Sequence, residues 1–155
     1  MNHRPVLEDD LGFLLTRAGA TMVREANTAL AAVDLKVRPY TVLSLACEDG
    51  GGVAQRRIAA DMGLDPSQIV GLIDDLESRD LVVRTPDSGD RRNKLIVATA
   101  DGRALCEQAR ELVAAVSTRL FADVDAELLD QMRTVLSGLA FPEAAPIGTR
   151  TVRQA

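Results

Sequence analysis

The feature that most constrains the fold is a change of sequence period near residue 80. Before it, apolar residues recur every three or four positions in segments 54–62 and 66–79, the spacing of amphipathic helices. After it come two β-branched runs, LVVRT and KLIVAT, separated by PDSGDRRN. Glycine, asparagine and aspartate between two such runs favour a turn. The sequence therefore predicts two short helices followed directly by a β-hairpin.

The two short helices have the spacing of a helix-turn-helix motif. In QRRIAADMGLDPSQIVGLIDDL, Ala59 lies where a larger side chain would push the helices apart, and Gly63 lies where a tight turn needs a positive φ. Ile69 and Leu72 anchor the second helix in the same small core. The N-terminal half of such a second helix enters the major groove of DNA in helix-turn-helix proteins. The candidate groups on that half are Ser67, Gln68, Val70 and Gly71.

Longer helical patterns flank this central segment on both sides. Apolar residues recur at helical spacing over roughly 6–32, and Pro39 suits the first turn of a shorter helix at 39–48. Thr99 suits the N-cap of a long helix, and Pro142 would end the last one. The predicted fold is mainly α with a small β-hairpin wing. Its predicted parts are an N-terminal dimerisation helix in 1–35, a winged helix-turn-helix lobe in 36–100, C-terminal dimerisation helices in 101–141 and a flexible tail in 142–155.

Composition favours a globular protein with an aliphatic core. Of the 155 residues, 46% are hydrophobic and 26% charged, which argues against disorder, whereas only 3% are aromatic. No apolar run reaches the length of a signal peptide or a transmembrane helix, so we expect a soluble cytosolic protein. Long terminal helices rich in alanine and leucine need a partner. A homodimer is favoured over a monomer in which they cap the lobe.

Charge is distributed unevenly, although the formal net charge is −5. The hairpin region 79–94 carries five cations against three anions, whereas the helix pair in 54–79 carries three cations against five anions. Taken alone, the cations between the strands are typical of a solvated turn. After a helix-turn-helix motif, however, a hairpin-tip arginine can reach the narrow and electronegative minor groove.

The segment LIDDLESRDLVVRTPDSGDRRNKLIVATADGRAL resembles the MarR family of bacterial transcriptional regulators. The family hallmark is an Asp-x-Arg wing, here Asp90, Arg91 and Arg92, followed by a second strand and by ATADG in place of LT-x-x-G. The resemblance covers about residues 7–140. It implies a homodimer whose first and last two helices interlock and whose two winged lobes read a pseudo-palindrome in double-stranded DNA.

The resemblance also implies roles for individual residues. Arg92 aligns with the wing arginine that enters the minor groove, and Asp74 aligns with an aspartate that can pair with it. Asp90 would brace the wing, and Arg91 would meet backbone phosphate. The full set of candidate DNA-binding residues is Arg38, Arg56, Arg57, Ser67, Gln68, Val70, Gly71, Asp74, Asp90, Arg91, Arg92 and Lys94.

The chain departs from the family pattern on the second short helix. The family often has arginine at three positions that here hold Pro66, Gly71 and Asp75. The other phosphate contacts would come from Arg38, Arg56 and Arg57. Because phosphate contacts dominate affinity for DNA, we expect modest, salt-sensitive binding that depends strongly on the wing.

The resemblance further implies a small ligand, because members often bind phenolic or other aromatic anions between the dimer helices and the lobe. Four residues could line such a crevice, and Arg17 could form an ion pair with an anionic ligand. A core or surface role is nevertheless the simpler interpretation of each. They are Phe13, Arg17, Met22 and Tyr40. The sequence thus predicts a ligand-modulated transcriptional regulator, with repression favoured over activation.

Other chemistries find less support in the sequence. The single histidine is His3, so no metal site and no other cofactor is predicted. Cys47 and Cys106 have apolar neighbours, which favours buried small side chains over redox sensors. The sequence contains no Gly-rich phosphate loop and no paired nucleophile and base, so it gives no indication of an enzyme. The alternative function is a winged-helix module that binds a protein or ligand with little direct DNA binding, which the acidic helix pair favours.

Overall fold

The computed structural model describes residues 7–48, 50–87, 89 and 94–142. These residues are mainly helical, with a three-stranded antiparallel sheet in the order β1-β3-β2. The chain divides into two compact units between Arg119 and Leu120. The elements are α1 (Leu11–Leu30), α2 (Val37–Glu48), β1 (Val53–Ala54), α3 (Gln55–Met62), α4 (Pro66–Ser78), β2 (Val82–Pro86), β3 (Lys94–Ala98), α5 (Ala100–Leu120) and α6 (Ala126–Ala140), with a 3-10 turn at Ala31–Val33 after α1.

The predicted class, mainly α with a hairpin wing, is confirmed, with differences at the ends of elements. Helix α1 begins at Leu11 rather than near residue 6, because the carboxylate of Asp10 caps it by accepting the N–H of Phe13 at 2.8 Å. Strand β1 was not predicted, since two residues are too few to show a period. It pairs with β3 and places Val53 opposite Ile96.

The core of the first unit is aliphatic, as the composition predicted. Its side chains come from α1 to α5 and from the sheet, so a single core positions α4 relative to the hairpin. Fully burying one such side chain contributes about 1.5–3 kcal/mol. The largest fully buried aliphatic members are Leu30, Leu43, Ile58, Ile69, Ile73, Leu76 and Ile96.

The turn between α3 and α4 has the predicted geometry. Gly63 ends α3 with φ 59° and ψ 34°, the left-handed conformation that favours glycine. Ala59 is buried at the helix crossing. Helix α4 then starts from the N-cap Asp65, with Pro66 in its first turn. The path of the chain thus exposes the N-terminal half of α4.

Thr99 joins the sheet to α5. Its hydroxyl donates to the carbonyl of Asp80 at 2.7 Å and accepts the N–H of Gly102 at 2.9 Å. Its own N–H donates to the carbonyl of Leu81 at 3.0 Å. The first turn of α5 therefore lies so close to this carbonyl that a Cβ on Gly102 would be 1.9 Å from the Leu81 oxygen. The glycine of ATADG is required by this approach.

We predict that Gly102→Ala lowers the free energy of unfolding by about 2–3 kcal/mol, because the added methyl group meets backbone rather than a flexible side chain. Urea denaturation followed by circular dichroism measures the loss. Gly51→Ala is the matched control: a Cβ there meets nothing within 4 Å, so the change should be less than about 0.5 kcal/mol. Equal losses in the two variants would contradict the close approach.

Candidate nucleic-acid interface

The first turn of α4 is held by a reciprocal cap. The carboxylate of Asp65 accepts the backbone N–H of Ser67 at 2.8 Å and its hydroxyl at 2.6 Å. The side-chain oxygen of Gln68 accepts the N–H of Asp65 at 3.3 Å. The two bonds from Ser67 lower the pKa of Asp65, so the cap stays ionised at neutral pH. The hydroxyl of Ser67 and the amide oxygen of Gln68 are therefore engaged within the protein.

The solvent face of α4 presents Val70 and Gly71 next to this cap. Ile69 and Ile73 are fully buried, which fixes the face of the helix that points outward. The side chain of Val70 is 39% exposed. A Cβ added to Gly71 would have no neighbour within 4 Å. The outward surface of the first two turns is thus small and partly apolar.

Arg84 of β2 joins the hairpin to α4. Its Nη2 donates to the Asp74 carboxylate and its Nη1 donates to the Glu77 carboxylate. Its backbone N–H also donates to Oε1 of Glu77 at 3.1 Å. Partial burial lowers the pKa of Arg84, but the hydrogen bond to Asp74 and the charge of Glu77 outweigh it and leave the pKa above the ordinary arginine value. The planar fork of the guanidinium therefore fixes the direction of the strand against the helix.

The tip of the wing includes Asp90, Arg91 and Arg92, which lie outside the described residues. The predicted pair of Asp74 with Arg92 therefore stays a prediction. The Asp74 carboxylate bonds Arg84, a partner that the sequence pattern did not indicate. Lys94, the first residue of β3, lies opposite Pro86 and is exposed at the base of the tip.

The remaining predicted DNA-binding cations are exposed on α2 and α3. Arg38 lies in the first turn of α2, and Arg56 and Arg57 lie in the first turn of α3. Arg57 bonds Asp61 one turn later at 3.1 Å. The Arg57–Asp61 pair is already counted in the charge of 54–79, whereas Arg84 lies outside that segment and adds one positive charge beside the helix pair.

Of the four predicted ligand-pocket residues, Phe13 and Arg17 are in contact, and none of the four lines the cavity between α1, α2 and α4. The guanidinium carbon of Arg17 lies 5.9 Å from the centroid of the Phe13 ring, a cation–π distance. Met22 is half-buried, and Tyr40 packs against the core of the lobe. A cavity of about 450 Å³ lies between the end of α1, the start of α2 and the second half of α4. It is lined by Asn27, Ala31, Asp34, Leu35, Lys36, Pro39, Asp75 and Arg79.

The cysteines have the environment of core side chains. Cys106 is buried and Cys47 is half-buried against it. Burial, with the neighbouring Cys106 thiol, raises the pKa of Cys47 to about 12, so little thiolate exists at neutral pH. Among the described residues, no cluster of three or more histidine, cysteine or carboxylate side chains could hold a metal ion, and His3 lies outside them. In the same part of the chain, no helix combines the length and apolar character needed to cross a membrane.

Comparison with known proteins identifies the family. The MarR family profile matches residues 33–93. The chain is also 52% identical to a MarR-family transcriptional regulator from Rhodococcus sp. RHA1 of known structure. That match has a TM-score of 0.85 and covers 90% of this chain and 98% of the other. The chain belongs to the MarR family.

Two further structures resemble this MarR-family regulator over most of its length. CouR from Rhodococcus jostii RHA1, bound to p-coumaroyl-CoA, is 51% identical with a TM-score of 0.85, covering 92% of this chain and 100% of that one. The transcriptional repressor CouR, bound to a 23-mer DNA duplex, is 31% identical with a TM-score of 0.78, covering 86% and 94%. The resemblance to the MarR family and the predicted role in transcriptional regulation are therefore confirmed.

We predict that Arg84→Met lowers the free energy of unfolding by about 1–3 kcal/mol, because two carboxylates lose their shared partner. Adding Asp74→Asn and Glu77→Gln should recover part of the loss, which urea denaturation of each variant would measure. Arg57→Met is the control, since that exposed pair should contribute less than about 1 kcal/mol. Equal losses for Arg84 and Arg57 would contradict the clamping role of Arg84.

Proposed function

We propose that this protein is a homodimeric repressor that places α4 in the major groove of a pseudo-palindromic operator and the tip of the wing in the adjacent minor groove. The wing is β2, β3 and the connecting residues 87–93. The observation that carries the proposal is the Arg84 clamp to Asp74 and Glu77, which joins the two DNA-contacting elements at a fixed angle. A rigid helix and hairpin can enter neighbouring grooves only when their separation matches the DNA.

Each candidate residue then has a definite part in binding. Val70 and Gly71 meet base edges, Arg92 enters the minor groove, and Asp90 braces the tip. The phosphate contacts come from Arg38, Arg56, Arg57, Arg91 and Lys94, and they position the lobe without reading sequence. The CouR repressor that was solved on a 23-mer DNA duplex, a different chain from the Rhodococcus jostii CouR, is 31% identical and supports this use of the lobe.

Apolar faces at both ends of the chain support the proposed homodimer. Helix α1 exposes Leu11 and Val23, and helix α6 has no buried residue and exposes Val135 and Leu139. An amphipathic helix that leaves its apolar face in water is stabilised by a partner that covers it. Two copies of the chain supply such a partner symmetrically, and the protein acts in the bacterial cytosol beside the nucleoid.

The ligand class that we propose is an aromatic acyl-CoA thioester. CouR from Rhodococcus jostii RHA1, which is 51% identical to this chain, was solved with p-coumaroyl-CoA bound. Phe13 and Tyr40 supply aromatic surface, Met22 adds an adaptable apolar side chain, and Arg17 lies over Phe13 where it can meet an anion. Binding of this ligand releases the operator.

The alternative is a winged-helix module that binds a protein or ligand and has little affinity for DNA. The observation that favours it is the excess of carboxylates over cations in 54–79. Against it, Asp61, Asp74 and Glu77 already have arginine partners, so they oppose phosphate less than free carboxylates would.

We predict that Arg92→Ala weakens binding to an operator selected from random duplexes by about 1–3 kcal/mol, as loss of a groove contact does. Fluorescence anisotropy at two salt concentrations would measure the affinity, which should fall as salt rises. Arg110→Ala is a charge-matched control in α5, where the arginine pairs with Glu107, and it should bind normally. Failure to select any duplex at low salt would favour the alternative module.

We also predict that p-coumaroyl-CoA, but neither p-coumarate nor coenzyme A alone, releases the bound operator. Arg17→Ala should require more ligand for the same release, because the cation near the aromatic site is lost. Calorimetry with the protein alone separates ligand binding from release. Tight binding of the thioester without loss of operator affinity would contradict its role as an inducer.

A further inference from the structure

Two large apolar side chains are exposed among the described residues of segment 35–99: Val70 on α4 and Val83 on β2. Val70 is on the part of α4 that the proposed function places in the major groove. The neighbouring side chains of α4 on the core side, Ile69 and Ile73, are fully buried. Val70 therefore faces outward because the helix period requires it, and it remains available to another molecule.

Gly71, beside Val70, is a second residue of this surface whose identity the protein interior does not explain. It lies in the interior of a 13-residue helix, where glycine is less favourable than alanine. No part of the described protein requires it, since a Cβ there would meet nothing within 4 Å. A glycine with no internal role suits a position where another molecule approaches the backbone closely.

Three of the polar groups beside this pair are already engaged within the protein. The Ser67 hydroxyl and the Gln68 side-chain oxygen are bonded to Asp65 at 2.6 Å and 3.3 Å. The Asp74 carboxylate is bonded to Arg84. Hydrogen-bond readout from this face would have to compete with these contacts. The major groove also offers one apolar group, the C5 methyl of thymine, which an apolar side chain can read.

We propose that Val70 and Gly71 form a thymine-reading surface. The methyl groups of Val70 pack against the C5 methyl of one thymine in each half-site. Gly71, with no side chain, lets the backbone of α4 come close enough for that contact. This inference rests on the proposed function, because it requires α4 in the major groove.

The test is a scan of the selected operator in which each thymine is replaced by deoxyuridine, which lacks only the C5 methyl. One thymine in each half-site should be sensitive, with affinity falling about fourfold per methyl group removed. In Val70→Ala the same replacement should have no further effect, because the contact is already lost. Val83→Ala, at the other exposed valine, should retain the full sensitivity.

Gly71→Ala provides an independent test, in which stability and operator affinity should change in opposite directions. Its melting temperature should rise by about 2–4 °C, because alanine favours the helix, while its affinity for the operator falls. Deoxyuridine sensitivity that is equal in wild type and Val70→Ala, or absent from both, would overturn the inference and leave DNA binding intact. Unchanged operator affinity in Gly71→Ala would also overturn it. Failure of the wild-type protein to bind any selected duplex would overturn the proposed function and this inference with it.

Discussion

The contact between Arg84 and two carboxylates of α4 is the interaction on which the geometry of the lobe depends. The aliphatic core holds α4 and the hairpin together, but apolar burial has no direction and tolerates small rotations. A forked guanidinium bonded to two side chains one turn apart does fix a direction. The side chain of Arg84 is only 17% exposed, whereas the carboxylates of Asp74 and Glu77 are 58% and 39% exposed, so the guanidinium is held firmly while water still reaches its partners. This contact converts two packed elements into one unit.

The elements that the sequence predicted are those with a repeating pattern. The helices on either side of Gly63 and the two strands showed their period directly, and the turn needed a residue that tolerates a positive φ. Arg84 was not predicted as a partner of Asp74. The two residues lie on a helix and on the strand that follows it, and no repeating sequence spacing indicates which side chains of two such elements come into contact. The capping role of Gln68 was equally hidden, since the same side chain suits DNA contact and a helix cap.

The balance of charge explains how a chain with a formal net charge of −5 can serve as a DNA-binding lobe. The helix pair is acidic when only residues 54–79 are counted. Arg84 lies outside that segment and forms ion pairs with two of its carboxylates. The local field, rather than the net charge, governs the approach of DNA. Since α4 itself carries no lysine or arginine, the proposed function assigns affinity to the flanking arginines and the wing, and specificity to a small, partly apolar surface.

In the proposed function, α4 and the wing contact DNA as one unit in each half-site. Dimethyl sulfate footprinting of the selected operator tests it directly, because the reagent methylates guanine N7 in the major groove and adenine N3 in the minor groove. Major-groove protection in two half-sites about 10 base pairs apart, each flanked by minor-groove protection, is the predicted result. Major-groove protection with freely reactive flanking minor grooves would contradict the claim.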